Sequence, residues 1–255
     1  MAGWRTGRVG ALAVAAAIGV AAPAVAEEWR IGAGPFVSAS DVRNHNRMPL
    51  DINDVVEALG APEPDWPAAL EVFAFGGNFP NHSLAVFTDD YNGRFAAHLP
   101  VASAHFGGTG FQNQALNAAL VGSGAFRGAE PAVRVAFVEA GLEAVALNWA
   151  RYELGESRRK ALASEPNWSL ENGSPKNWNE IFAFYWGPEG RHSVFEALEA
   201  VEGGPAVNAA LFQALADGQE VLVGQSVWAE EDGAEVAALL DAASVALLRS
   251  ALEAA

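Results

Sequence analysis

Pro131 opens a stretch that runs to about residue 160 without another proline, and in it Val138, Leu142, Val145, Trp149 and Tyr152 recur at three- and four-residue spacing. A strand would repeat at two, so this spacing specifies one long amphipathic α-helix, with the proline in the first turn, where no backbone N–H is needed. The same reading predicts helices over residues 113–121, 177–186, 191–201, 205–225 and 230–253. The chain is therefore expected to be all-α, a helical bundle. A polar stretch near 161–176, with Pro166, Gly173 and Pro175, joins two helical halves whose internal similarity is weak. Residues 50–106 are punctuated by Pro62, Pro64, Pro67, Gly76, Gly77, Pro80, Gly93 and Pro100, so only short elements fit there. Asp51 or Asn53 can cap a first short helix, and Asp65 a second with Pro67 in its first turn. The loop through residues 88–93 is a candidate site wall. Residues 51–255 read as a single all-α domain with a loop-rich N-terminal region, preceded by an extension over 27–50.

Residues 1–26 read as a secretory signal peptide: Arg5 and Arg8 precede an apolar run, and Ala24-Val25-Ala26 supplies the cleavage pattern before Glu27. Cleavage removes two arginines and no acid, so the formal charge falls from −16 to −18. No later segment is apolar for long enough to span a bilayer, which predicts an exported, periplasmic product. The 31 acids against 15 Lys and Arg argue against nucleic acid, whose binders need a basic footprint. The absence of cysteine excludes disulfides, thiolate metal sites and cysteine nucleophiles.

Strong enzymatic signatures are missing. The chain has no phosphate loop, no dinucleotide fingerprint, no Gly-x-Ser-x-Gly elbow and no His-Glu-x-x-His helix. His45, His82, His98, His105 and His192 are scattered, with no pair at i, i+4. Oxygen donors are abundant, and they favour hard cations such as ferric iron. Three places supply them. On the long helix Glu139, Glu143 and Glu153 form one narrow stripe, either a solvated face or a metal-binding one, with Tyr152 beside Glu153. On the aromatic helix, Trp178, Ile181, Phe182 and Tyr185 form a core face while Glu180 points elsewhere, as a first-turn carboxylate favoured by the helix dipole or as a ligand. At the next junction Arg191 and His192 stand at a helix start, a natural anion site.

The segment Trp178-Asn179-Glu180-Ile181-Phe182-Ala183-Phe184-Tyr185-Trp186-Gly187 resembles the Trp-(Asp/Asn)-Glu-x-x-Ala-Phe-Tyr-x-Gly motif of the algal Fe-assimilating, low-iron-inducible periplasmic proteins and their diatom relatives, the phytotransferrins. Asp65-Trp66-Pro67-Ala68-Ala69, the Gly76-Gly77-Asn78 turn and Gly122-Ser123-Gly124-Ala125-Phe126-Arg127-Gly128 resemble further elements in the same order. Tyr152-Glu153-Leu154 and the helix start at Asn208 do so too. The resemblance implies an extracytoplasmic protein, not an enzyme, that captures ferric iron with carbonate as accompanying anion and hands it to a membrane transporter. It places Glu180 and Tyr185, with Tyr152 and Glu153, at matching positions. His192 or His105 completes the proposed metal set, and Arg191 is assigned to the anion. Two other readings stay open: a structural or adhesive helical module, and an exported hydrolase using paired carboxylates.

Overall fold

The computed structural model describes residues 30–254 apart from 81, 89–103, 106–107, 109, 192, 227 and 229. The expected signal peptide, the acidic part of the 88–93 loop, His98 and His192 lie outside these described residues.

The described residues form a mostly helical fold, with nine α-helices and a single two-stranded sheet. β1 (Gly32–Ala33) and β2 (Phe36–Val37) form a minimal antiparallel hairpin with Gly32 opposite Val37. A short 3-10 turn, His45–Arg47, leads into α1 (Met48–Leu59). Then come α2 (Trp66–Phe75), α3 (Leu84–Thr88) and α4 (Phe111–Val121). The long helix is α5 (Pro131–Ala161), followed by α6 (Ser174–Trp186), α7 (Val194–Glu199), α8 (Gly204–Val223) and α9 (Glu230–Ala254). None of the described helices is long and apolar enough to cross a membrane.

The centre of the fold is α6. Its sequence is apolar around most of its circumference, and such a helix is stable only when buried on every side. Accordingly Trp178, Ile181, Phe182, Phe184 and Tyr185 are completely buried. α5 lies along one flank and α8 along another, and one core cluster runs through helices on both sides of the polar linker. The N-terminal segment closes a further flank. Phe36 packs on Phe182 with ring centroids 4.5 Å apart, and the Ala39 amide donates to Asn179 Oδ1 at 2.6 Å. At Gly218 of α8 a Cβ atom would stand 2.2 Å from the Trp178 ring, so this close approach requires glycine.

Two boundaries depart from the sequence reading. Asp51 does not cap α1, which starts earlier, at Met48, with Pro49 in its first turn. Its buried carboxylate instead accepts the Asn78 amide N–H at 2.7 Å, the Asn78 side chain at 3.0 Å and the Phe79 N–H at 3.1 Å. That tethers the turn after α2, where Gly76 has φ 66°. Asp65 does cap α2, accepting from Ala68 N–H at 3.1 Å. The second departure is α7, shorter than the expected 191–201, because a 3-10 turn at Pro188–Gly190 precedes it and Ser193 is its N-cap, accepting from Glu196 N–H. Arg191 is left in extended backbone before the helix.

Candidate metal site

The end of α5 and the first half of α6 run side by side, and the His45–Arg47 turn crosses beside them. Between them lies a cavity of about 250 Å³ whose polar lining includes His45, His82, Tyr152, Glu153, Glu180 and Lys160. Its apolar wall is aromatic: Phe79, Phe87, Trp149 and Phe184. Phe87 meets Trp149 edge to face at 4.7 Å, and Tyr152 stacks against Trp149 at 5.0 Å in the same manner.

Three carboxylates line this small space, Glu153, Glu156 and Glu180, and two of them are deeply buried. Glu153 is 4% exposed and Glu180 6%. Asn177, one turn before Glu180 on α6, donates its side-chain amide to Glu180 Oε2 at 3.1 Å and also to Glu153 Oε2. Burial pushes the Glu153 carboxyl well above the usual carboxylate range, and the neighbouring Glu180 charge and hydrogen bond push it further in the same direction. Asn177 and the Lys160 charge oppose this but do not cancel it. These effects bias Glu153 toward its protonated form, in which it can donate to Glu180. The cations stand at the edges: Lys160 donates to Asn177 Oδ1 at 2.6 Å and to the Asn172 carbonyl, while Lys176 lies 3.5 Å from Glu180 Oε1 and donates to the Asp41 carbonyl.

His45 faces the same carboxylate, with Nε2 3.4 Å from Glu180 Oε1. Its ring is wedged edge-on against Phe184 and Phe79, at 5.5 and 5.8 Å. Burial holds its pKa below the ordinary histidine value; Lys176 and His82 act in the same direction and Glu180 and Asp41 against it. Its Nδ1 is buried without a hydrogen-bond partner. A largely neutral imidazole whose Nε2 faces Glu180, with Glu153 on the same cavity, is a donor set to which a cation can be added. Among the described residues no three His, Asp or Glu side chains stand together as a metal-holding group.

The sequence-predicted residues separate into two groups. Tyr152, Glu153 and Glu180 meet at the cavity. Tyr185 does not. It lies on another face of α6, completely buried, and its hydroxyl donates to Asn208 Oδ1 at 2.5 Å. Asn208 in turn donates to Glu199 Oε1 at 2.6 Å and to the Phe195 carbonyl. Burial and the Glu199 charge raise the Tyr185 pKa, which disfavours the phenolate a ferric ligand needs. Arg191 and His105 are exposed and neither lines the cavity. The carboxylate stripe of α5 is divided: Glu139 and Glu143 line a different cavity, about three to four turns away from Glu153.

His45, His82, Asn177, Lys160 and Lys176 were not singled out by sequence reasoning. For Asn177 and Lys176 a signal existed, since they stand three and four residues before Glu180 on one helix. For His45 none did, because it comes from a segment far away in the chain.

The sequence model of the low iron-inducible periplasmic protein family (Fea1) matches residues 8–229. No curated protein and no solved structure matched the chain. The matched span includes the cavity's histidines, its buried carboxylates Glu153 and Glu180 and the aromatic α6 at the centre of the fold. With the greater part of its length covered, the chain belongs to the low iron-inducible periplasmic protein family.

Proposed function

We propose that this protein is an extracytoplasmic ferric-iron-binding protein serving iron capture, and that the ion enters the cavity between α5 and α6. The observation that carries the reading is the burial of Glu153 and Glu180 together, with His45 Nε2 3.4 Å from Glu180 Oε1. Two carboxylates in an aromatic pocket are costly unless a proton or a cation accompanies them. Without iron a proton on Glu153 fills this role; on iron binding it leaves and the cation takes its place. Tyr152, Glu153, Glu180 and His45 are the proposed ligands, hard oxygen donors predominating. Carbonate as the accompanying anion belongs to the same proposal, with Lys160 on the cavity wall as its partner. A volume of about 250 Å³ also favours an ion over a glycan or another organic substrate, which occupies roughly 300–1,000 Å³. The family's description as low iron-inducible and periplasmic agrees with this role.

The test is titration of the purified protein with ferric nitrilotriacetate, read by absorbance and calorimetry. One equivalent should bind and give a phenolate-to-iron charge-transfer band. Tyr152→Phe should remove the band while Tyr185→Phe keeps it, and Glu153→Gln combined with Glu180→Gln should abolish binding. Saturable binding that survives the double Glu variant would refute the site. A protein that takes up no ferric ion at all would leave the structural-module reading in its place.

A further inference from the structure

A second cavity, of about 440 Å³, lies between α1, α5 and α7. Its wall is largely aliphatic, with Ile52 and Val56 from α1, Ala146 from α5, and Val194 and Ala197 from α7. Glu139 and Glu143, one turn apart on α5, open onto it. The same two carboxylates line an adjoining groove of about 320 Å³, walled on its far side by Leu247 and Ser250 of α9. Neither makes a hydrogen bond or an ion pair among the described residues. Among the described residues the wall has one other titratable group, Glu196 of α7, and no Lys, Arg or His; the polar side chain from α1 is Asn53, whose amide donates to Glu57.

Carboxylates in an aliphatic wall without a cation are unfavourable. Burial, with the Glu139 charge adding to it, pushes the Glu143 carboxyl up to about 7. Burial raises that of Glu139 too. The place thus combines an apolar volume of small-molecule size with uncompensated negative charge. An anion would be repelled. A bare metal ion would leave the aliphatic wall unused.

We propose that this cavity binds a small organic ammonium ion, its charged group between Glu139 and Glu143 and its hydrocarbon body against Ile52, Val56 and Ala197. The site shares no lining residue with the Glu153–Glu180 cavity and does not depend on the iron reading. The chain's formal charge of −16 draws cations toward either one.

Calorimetric titration at about pH 8, where the carboxylates are ionised, tests it with three probes of one chain length: octan-1-amine, octan-1-ol and octanoate. The amine should saturate one site at least about tenfold more tightly than the alcohol, and octanoate should not bind. Glu143→Gln should weaken the amine by about tenfold or more without lowering the melting temperature, because it removes an unfavourable buried charge. Ala197→Phe, which fills the cavity, should abolish amine binding and leave ferric titration unchanged. The proposal is overturned if alcohol or octanoate binds as tightly as the amine, or if Glu143→Gln leaves amine affinity unaltered. Should Ala197→Phe fail to fold, the Glu143→Gln comparison decides alone.

Discussion

Glu153 and Glu180, on different helices and 27 positions apart in the chain, are joined through the single side-chain amide of Asn177, which donates one hydrogen to Oε2 of each. The bridge places two carboxylates closer than their charges tolerate, and a retained proton on Glu153 relieves the conflict.

This makes the iron-free protein sensitive to pH in a definite direction. A carboxyl that holds its proton more tightly in the folded chain than in the unfolded one costs stability as pH rises above the ordinary Glu value. Denaturant midpoints of the iron-free protein should therefore fall as pH climbs above 4.5. Glu153→Gln keeps the shape of the protonated side chain and should flatten that slope. An unchanged slope in this variant would mean that Glu153 is ionised in the fold.

Glu143 adds a separate, narrower dependence. Its carboxyl is raised from 4.5 to about 7, so the folded state carries the extra proton between those values and stability is lost across that window as pH rises. The side chain is only partly buried, and solvent reduces the cost. Glu143→Gln should gain about 1–2 kcal/mol at pH above the window and nothing below it, measured by urea unfolding at both ends.

Tyr185 and Asn208 form a structural pair, and their effects should be structural. Tyr185→Phe strands the buried Asn208 Oδ1 and should cost about 1–3 kcal/mol, with ferric titration unchanged. A loss of ferric affinity with stability intact would return Tyr185 to the ligand set.

Gly218 sets the distance between α8 and α6. A Cβ there would lie 2.2 Å from the Trp178 ring, and the ring is pinned by its Nε1 donating to the Leu215 carbonyl at 2.8 Å. Gly218→Ala should destabilise by about 1–3 kcal/mol despite the higher helix propensity of alanine, seen as a lowered melting temperature. A stabilising outcome would show that α8 can move away from α6 freely.

Helix identity was legible because it is a local property. The three- and four-residue spacing of Val138, Leu142, Val145, Trp149 and Tyr152 is enough to specify α5, and all five are buried as that spacing requires. The helix ends were less legible where a side chain had a tertiary alternative. Asp51 has every local credential of an N-cap, yet its carboxylate is taken by Asn78 and Phe79, far along the chain.

The sequence by itself determined the helical class, the burial of the aromatic α6 and the types of donor the chain offers, since composition and periodicity carry all three. Only the tertiary structure decided which donors meet. On α6, residues 180 and 185 fall on different faces, so the helix turns Glu180 toward Glu153 and Tyr185 toward Asn208. Likewise the stripe of Glu139, Glu143 and Glu153 is one face of one helix in sequence, but α5 passes two different sets of neighbours along its length, α7 at one end and α6 with His45 at the other. A carboxylate's chemistry is set by what is packed against it, and that partner comes from elsewhere in the chain.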